Sequence, residues 1–412
     1  MKKNRLTQTF LDGCPRENVP EKLCDFIDNQ FPSARNTVSI DFTGIIWGSG
    51  QPPAVFFPKG TEIPKHLEHR SELIRLLIDC LRRYRSSDSK SHSADINSNL
   101  LSCPELELIE RYQRDGLYSN REKQISKVIK GPIDWKRTIN GGNPALNSDG
   151  TLFYLDTIRR GYRSSTTQIR KIHAAIVFDA MAELSWLIHT TPCNEVMSSR
   201  QMPFSNETSI QLIRAELSKQ FSEEKIRLLK LLLAILERDL RGSKSGGSLL
   251  GTTKFEHVWE HMISCYLADQ KQDFKNLAIP AYVLNSGVVE PSAANSPRPD
   301  TILHHGNKIA VVDAKYYNFA ISKPQWGDLV KQFFYAKTFE MRFGKENVSN
   351  WFVMPGFDNQ GALKAIVIDT DGTDLKETFT PIRIRFKDPI DVMKHYASYK
   401  INHEDRATFL AE

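Results

Sequence analysis

The 412-residue sequence has no apolar segment long enough to cross a membrane and no cysteine spacing typical of a metal site. Its most apolar stretches are interrupted by charged residues, such as Asp179 and Glu183, so no transmembrane helix is predicted. No apolar stretch follows the first basic residues, and a signal peptide is therefore not predicted. The six cysteines are scattered singly, which is typical of reduced thiols and predicts a cytoplasmic location.

The sequence also lacks a phosphate-binding loop. Residues 242–248 read Gly-Ser-Lys-Ser-Gly-Gly-Ser, but a serine separates the first glycine from the lysine and no strand precedes the segment. A phosphate loop needs Gly-x-x-x-x-Gly-Lys-Ser/Thr at a strand-to-helix turn. We therefore interpret residues 242–248 as a flexible linker and predict no nucleotide hydrolysis by this chain alone.

Length and charge set broad limits on the protein. A chain of 412 residues predicts two or three domains, and 40% apolar residues are enough to form their cores. The net charge of +6 is mildly basic. That charge is consistent with a surface that contacts phosphates, although many proteins without a nucleic acid partner have a similar value.

Hydrophobic patterning predicts three segments. Residues 1–125 form an α+β region with a β-hairpin near 37–57 and a possible role in partner docking. Residues 126–248 form a helical middle region, with long helices over about 152–190 and 208–241 and a linker at 242–248. Strands and helices alternate over residues 249–412, which predicts an α/β fold with a mixed sheet flanked by helices. Because residues 242–248 are interpreted as a flexible linker, we expect the parts on either side of it to fold separately.

The most informative segment runs from Pro299 to Lys315. Residues 301–303 and 309–314 are apolar enough to form buried strands, and Gly306 between them can form the turn of a hairpin. Such a hairpin brings Asp300 beside Asp313. Asp313 and Lys315 are two residues apart, so they project from the same face of the strand.

Two carboxylates and an ammonium group at the end of a sheet can support phosphodiester hydrolysis. Paired carboxylates bind Mg²⁺, which prefers oxygen ligands and lowers the pKa of a bound water. A lysine beside them can orient that water or stabilise developing negative charge. The alternative interpretation is structural, because Asp313 and Lys315 could form a simple ion pair where the strand leaves the core.

Pro299-Asp300 followed by Asp313-Ala314-Lys315 resembles the PD-(D/E)xK nuclease signature. In that class, a glutamate from a preceding helix commonly completes the metal site. Glu256 and Glu260 lie one turn apart on the helix predicted from residue 255, and the resemblance favours Glu260. Glu256 could instead stabilise the start of the helix.

The helix predicted around residues 328–335 contains Gln332 and Tyr335, which resemble a Gln-x-x-Tyr element found in some of these nucleases. Together with the Trp259 helix, the Asp-Ala-Lys strand and the earlier Trp135 segment, this element narrows the resemblance. The combination is similar to LlaJI-type restriction endonucleases and, more distantly, to the McrC subunit of modification-dependent restriction systems.

The resemblance implies a Mg²⁺-dependent endonuclease that cuts double-stranded DNA in a restriction, or anti-phage defence, system. It implies that Asp300, Asp313 and Glu260 bind the metal and that Lys315 positions or activates water. Gln332 and Tyr335 would support the site. It also implies a separate GTP-hydrolysing motor, an McrB-like AAA+ subunit acting in trans, which agrees with the missing phosphate loop. No membrane partner is expected.

Two alternatives remain open. The chain could be a self-sufficient type II restriction endonuclease whose first 250 residues recognise the target. It could also be a non-enzymatic adaptor that uses a nuclease-like fold to bind DNA or stimulate a motor. The intact pair of aspartates and Lys315 argue against the adaptor.

Two basic features of the middle segment are also ambiguous. Trp135 and its neighbours Lys136 and Arg137 could stack on and grip nucleic acid, or Trp135 could belong to the core. Several cations fall on the helix predicted over 152–190, and they could track DNA or simply form a solvated face. These cations are Arg159, Arg160, Arg163, Arg170 and Lys171.

Overall fold

The structure is a computed structural model. It describes residues 7–32, 35, 37–48, 52–88, 100–101, 104–119, 121–126, 132–141, 143–164, 168–184, 187, 192–240, 248–270, 278, 281–291, 298–357 and 363–411. The chain divides into two compact units. Unit 1 contains residues 1–102 and 246–412, and unit 2 contains residues 103–245.

The described strands and helices are as follows. The strands are β1 Gln8–Leu11, β2 Cys14–Pro15, β3 Ser39–Ile40, β4 Thr43–Trp47, β5 Ala54–Phe57, β6 Leu100–Leu101, β7 Arg121–Ser126, β8 Pro144–Leu146, β9 Leu152–Tyr154, β10 Arg159–Ser164, β11 Ser248–Thr252, β12 Ala281–Val283, β13 Val289–Pro291, β14 Thr301–His305, β15 Lys308–Ala314, β16 Val348–Pro355, β17 Leu363–Ala365 and β18 Ile382–Lys387. The α-helices are α1 Glu21–Gln30, α2 Leu67–Asp88, α3 Pro104–Asp115, α4 Trp135–Gly141, α5 Gln168–Glu183, α6 Asn194–Ser198, α7 Asn206–Leu217, α8 Glu223–Leu240, α9 Phe255–Leu267, α10 Trp326–Phe343, α11 Pro389–Ala397 and α12 His403–Ala411. None of the described helices is long and apolar enough to span a bilayer.

The first sheet of unit 1 has the strand order β1-β5-β4-β11-β6. The hairpin predicted near residues 37–57 is confirmed, since β4 and β5 pair antiparallel. Strand β11 joins β4 with Gly251 opposite Gly44, and the ring of Phe42 lies close to both glycines. A Cβ at Gly44 would lie 2.3 Å from the Leu250 carbonyl oxygen, so a side chain at this crossing would push the strands apart.

The compact units have different boundaries from the three predicted segments. Strand β11 begins at Ser248, the last residue of the predicted linker, yet it lies in the same sheet as the strands of residues 8–57. The second half of the chain therefore shares one compact unit with the N-terminal residues. Most of the predicted linker, residues 242–247, lies outside the described residues.

The second sheet of unit 1 has the order β14-β15-β16-β18-β17 and contains parallel and antiparallel pairs. Every residue of β16 is buried, as expected for a central strand covered on both faces. Asn350 bonds to helix α10 on one face, whereas Ser349 and Trp351 donate to the Phe409 carbonyl of α12 on the other. The α/β class predicted from the sequence is confirmed.

Unit 2 contains both helices and strands, so the helix predicted over residues 152–190 is wrong. Residues 152–154 and 159–164 are strands, and helix α5 covers residues 168–183. Strand β10 pairs with β7 far upstream, a non-local partner that replaces the helical hydrogen bonds suggested by the local pattern. The second predicted helix, 208–241, consists of α7 and α8, which pack against each other.

The structure also decides between the two alternatives left open for Trp135 and corrects the placement of several cations of unit 2. Trp135 is 56% exposed, so it is not a core tryptophan. The cations expected along one helix divide between β10 and α5. Arg170 on α5 makes two hydrogen bonds of 2.7 Å to the carboxylate of Glu195, so its charge is paired within the unit.

Candidate active site

The β14–β15 hairpin brings Asp300 and Asp313 together. Gly306 has φ +58° in the turn, and the register pairs Thr301 with Val312. Asp300 directly precedes Thr301 and Asp313 directly follows Val312, so the two aspartates lie opposite each other at the end of the hairpin. The backbone N–H of Ala314 donates to Asp300 Oδ2 at 3.0 Å, and a hydrogen bond joins the two carboxyl groups. The predicted proximity of the two aspartates is confirmed.

Burial makes this pair unfavourable as two full charges. Burial raises the pKa of Asp300 to about 9, and the negative charges of Asp313 and Glu260 add to that increase. Burial also raises the pKa of Asp313, although Lys315 opposes the change. A cation bound between the two carboxyl groups would offset this cost.

Lys315 lies between two carboxylates. Its Nζ is 2.7 Å from Asp313 Oδ2 and 3.1 Å from Asp328 Oδ1. Although burial lowers the pKa of Lys315, the charges and hydrogen bonds of Asp313 and Asp328 raise it well above its usual value. These interactions therefore favour the charged form of the lysine. It can orient water or stabilise negative charge, but it is poorly suited to accept a proton.

Asp328 is a site residue that the sequence analysis did not identify. It lies in the first turn of α10, where it forms a capping box with Gln325. It also accepts a hydrogen bond of 3.1 Å from the Tyr317 hydroxyl. Against the effect of burial, Lys315 and these hydrogen bonds lower the pKa of Asp328. The capping pattern is visible in the sequence, but the contact with Lys315 depends on how α10 lies on the sheet.

The two glutamates of helix α9 have different surroundings. Trp259 is fully buried and donates from Nε1 to the Val353 carbonyl at 3.3 Å, which fixes the helix on the sheet. The charge of Glu260 raises the pKa of both aspartates of the pair. Glu256 lies near the start of the helix, with Lys254 Nζ 3.5 Å from its carboxylate. Electrostatics therefore associates Glu260 with the aspartate pair.

Gln332 lies in the core between α10 and the sheet. It is 1% exposed, and its Nε2 donates to Asn350 Oδ1 at 2.7 Å and to the carbonyls of Val311 and Trp351. Tyr335 packs against the apolar cluster around Ile309. Through these contacts, Gln332 and Tyr335 hold α10 on the central strands. They therefore support the site by packing in the core.

The donor set suits a hard cation that retains water. Within the described part of the chain, no three His, Cys, Asp or Glu side chains form a ready-made metal group. Mg²⁺ needs no such cage, because one or two carboxylates together with water and substrate oxygens are typical ligands. Asp300 and Asp313 supply two carboxyl groups whose ionisation a cation would favour, and Glu260 adds negative charge nearby. These residues fit the predicted ion.

A buried polar cluster connects the site strand with the first sheet of unit 1. Tyr316 follows Lys315, and its hydroxyl oxygen accepts a hydrogen bond of 2.8 Å from the Lys59 backbone N–H. The same hydroxyl bonds to Asp12, which also accepts from the Thr43 hydroxyl at 2.9 Å. Burial raises the pKa of Asp12 to about 6. No local sequence pattern indicates this cluster, because its members are far apart in the chain.

Comparisons with known proteins place the chain in a family. A family model described as LlaJI restriction endonuclease matches residues 42–373. No curated protein matches the chain. A solved structure, the refined half-complex from a tetradecameric assembly of Thermococcus gammatolerans McrB AAA+ hexamers with bound McrC, contains a chain with 13% sequence identity and a TM-score of 0.42. That likeness covers 95% of this chain and 99% of the other.

Proposed function

The chain belongs to the LlaJI restriction endonuclease family, and from that premise we propose that it is a Mg²⁺-dependent endonuclease of the PD-(D/E)xK class. The substrate is double-stranded DNA, cut in a restriction system. The observation that supports this proposal most strongly is the buried pair of Asp300 and Asp313, with the Lys315 ammonium group 2.7 Å from Asp313. Two carboxyl groups held together at the end of an apolar strand lower the stability of the fold. A functional role explains why both are present there.

Each site residue has a distinct role in this proposal. Asp300 and Asp313 would hold the ion, with Glu260 completing the negative site. The bound ion would supply a water of lowered pKa and offset charge on the phosphoryl oxygen. Lys315, kept protonated by two carboxylates, orients the attacking water or stabilises the developing negative charge. Asp328 holds the lysine in place from α10.

A separate motor is the second part of the proposal. The sequence contains no phosphate loop, whereas the resemblance to McrC-type chains implies a GTP-hydrolysing McrB-like AAA+ subunit. We therefore expect the purified chain to hydrolyse neither GTP nor ATP. We also expect it to cut DNA poorly until the motor is added, because an unrestrained nuclease would damage host DNA.

Cleavage by matched aspartate variants tests the proposal. Asp313→Asn preserves side-chain size but removes a metal ligand, so DNA cleavage with Mg²⁺ and the motor should fall by about a hundredfold or more. Asp391→Asn is the control. Asp391 belongs to the same unit and also accepts a hydrogen bond, from Tyr266, but it lies on α11 and not in the β14–β15 hairpin. That control should cut normally. Folded Asp313→Asn protein with the wild-type rate would remove Asp313 from the mechanism.

The same assay separates the proposal from its alternatives. Site-specific cleavage of both strands by the chain alone, without nucleotide or motor, would identify a self-sufficient enzyme. Motor stimulation without cleavage, equal in wild type and Asp313→Asn, would identify an adaptor. The two-subunit nuclease requires cleavage that depends on both Asp313 and the motor.

A further inference from the structure

The connection between strand β15 and helix α10 begins and ends at residues of the candidate active site. Lys315 comes directly before it and Asp328 directly after it, and the two side chains meet at 3.1 Å. The Tyr317 hydroxyl, within the connection, also donates to Asp328 at 3.1 Å. Residues 316–327, called here the site loop, include the first two residues of α10. A surface loop that returns to its starting point in this way is frequently functional.

Contacts in the middle of the site loop fix its conformation. The backbone N–H groups of Ile321 and Ser322 donate to the Asn318 carbonyl at 2.9 and 2.8 Å. Phe319 packs edge-on against Phe386 of β18, with the ring centroids 5.7 Å apart. The loop is therefore held in its middle as well as at its ends, so its exposed side chains have defined positions beside the site.

The site loop presents an aromatic ring and a cation to solvent. Trp326, the first residue of α10, is 79% exposed, and Lys323 is also exposed. Lys323 Nζ lies 5.8 Å from the centre of the Phe319 ring, so this lysine lies over the packed middle of the loop. Lys331, one helical turn after Asp328, is exposed as well. An exposed indole therefore lies between two exposed lysines in the sequence.

The same stretch of sequence supplies little negative charge. Asp328 is the only acidic residue among residues 316–339, and its carboxylate is paired with Lys315. The next acidic residue, Glu340, is buried and accepts a hydrogen bond of 2.9 Å from Lys337. The exposed surface that this stretch contributes is therefore positive.

We propose that Trp326, Lys323 and Lys331 contact the DNA strand beside the scissile phosphate. This inference rests on the proposed function, in which a phosphodiester is cut at the aspartate pair. A strand that reaches that site passes the site loop, because the loop leaves the site at Lys315 and returns to it at Asp328. The indole ring would pack against a base or sugar, and the two lysines would neutralise neighbouring phosphates.

The far end of α10 helps to separate DNA from a protein as the occupant of this surface. Met341 is 77% exposed and lies on the same face of the helix as Trp326, about four turns or 22 Å further along. A protein bound along this face would use the apolar side chains at both ends. Lysine is depleted at the centres of protein interfaces, so the two exposed lysines near Trp326 favour DNA at the site end.

Duplex binding by the full chain tests the role of Trp326 without depending on cleavage. Wild type and variants are titrated with a fluorescent DNA duplex in EDTA. Trp326→Ala should bind about tenfold more weakly, because it loses one contact between an aromatic ring and a nucleotide. Trp326→Phe keeps an aromatic ring and should recover most of the affinity. Met341→Ala removes an exposed side chain of the same helix face and should bind as wild type does.

A pair of double variants tests the two lysines over a range of salt concentrations. Lys323→Gln/Lys331→Gln should bind more weakly, and its plot of log affinity against log salt should be shallower by about 2, because two phosphate contacts are lost. Lys22→Gln/Lys400→Gln removes two exposed cations from α1 and from the residues after α11, and should keep the wild-type slope. An equal loss in both double variants would assign the effect to overall charge and overturn the inference.

The outcomes also distinguish this inference from the proposed function. Asp313→Asn should lose cleavage but retain duplex binding, whereas Trp326→Ala should lose affinity for the duplex. If Trp326→Ala and Met341→Ala both bind DNA normally but no longer respond to the motor, the helix face docks a protein and the DNA assignment is wrong. If Trp326→Ala binds as wild type does, or if wild type binds no duplex, the inference fails. Cleavage that depends on Asp313 would still support the proposed function.

Discussion

Lys315 Nζ lies 3.1 Å from Asp328 Oδ1, so a carboxylate from helix α10 holds the lysine that follows strand β15. Asp328 also accepts hydrogen bonds from the Gln325 backbone and the Tyr317 hydroxyl. Its position is therefore fixed independently of Lys315. This second carboxylate keeps the ammonium group aimed at Asp313 and ensures that it stays charged through the neutral pH range.

Asp328→Ala should slow DNA cleavage by about tenfold, because Lys315 loses one of its two anchors but keeps Asp313. Asp388→Ala is a matched control, since Asp388 caps α11 by accepting from the Ile390 N–H. Both variants should lose about 1 kcal/mol of stability through the lost cap. Cleavage should fall in Asp328→Ala alone. Equal rates in the two folded variants would show that Asp328 is a helix cap and nothing more.

Glu260→Gln should impair cleavage more than Glu256→Gln. The negative charge of Glu260 acts on both Asp300 and Asp313, whereas Glu256 lies beside Lys254 near the helix start. Single-turnover cleavage at several Mg²⁺ concentrations checks this order, and the Glu260 variant should require more Mg²⁺. If Glu260→Gln cuts normally and Glu256→Gln is inactive, the metal-facing residue of α9 is Glu256, one turn earlier in the helix.

Removing one carboxyl group of the buried pair should stabilise the metal-free protein. In EDTA at neutral pH, Asp300→Asn should raise the free energy of unfolding of unit 1 by about 1–3 kcal/mol. Burial raises the pKa of Asp300, so the folded state must bind a proton that the unfolded state does not hold, whereas an amide is neutral in both states. Mg²⁺ should raise the thermal midpoint of the wild type and leave that of Asp300→Asn nearly unchanged. Asp25→Asn, an exposed control, should respond to Mg²⁺ as wild type does. An equal response in Asp300→Asn would exclude Asp300 as a metal ligand.

A buried histidine should make unit 2 sensitive to acid. His173 is fully buried, its Nδ1 accepts from the Tyr118 N–H at 3.0 Å, and burial lowers its pKa to about 4. The folded state therefore binds fewer protons than the unfolded state between about pH 4 and pH 6.5, so stability is lost as pH falls through that window. The full effect of this one histidine is about 3 kcal/mol, since a shift of one pKa unit is about 1.4 kcal/mol.

His173→Gln keeps an acceptor for Tyr118 but does not titrate. The loss of stability between pH 7 and pH 4.5, measured by denaturant unfolding of unit 2, should be smaller in this variant than in wild type. His403→Gln replaces an exposed histidine and should keep the wild-type dependence. Identical acid sensitivity in all three proteins would assign the effect to other groups.

The acidic pair could be predicted from sequence because everything that forms it is local. The turn at Gly306, the apolar run that ends at Asp313 and the spacing of Asp313 and Lys315 lie within one hairpin. Asp328 and Asp12 were missed because their contacts depend on the docking of a helix and of a distant sheet. The helix predicted through residues 159–164 is wrong for the same reason, because these residues pair with strand β7, which lies far upstream in the sequence.

The division into compact units predicts which half of the chain can be removed. Replacing residues 103–245 with a short Gly-Ser linker should leave unit 1 folded, because Leu101 already pairs with Gly251 across the join. Deleting residues 1–102 should instead unfold residues 246–412, contrary to the expectation raised by the linker. That deletion removes the strand partners of β11 and leaves the buried Tyr316 hydroxyl without Asp12 and Lys59.

Circular dichroism and limited proteolysis of the two shortened chains measure this difference. The linker-joined unit 1 should show a cooperative thermal transition and resist protease, while the chain that begins after residue 102 should show neither. A Tyr316→Phe variant of unit 1 serves as an intermediate case, since it loses the hydroxyl but keeps the ring packed against Phe255 and Trp259. It should be folded but less stable by about 1–3 kcal/mol, because Asp12 and the Lys59 N–H lose a buried partner. If residues 246–412 fold alone as well as the joined unit does, folding of the second sheet of unit 1 does not depend on the first sheet.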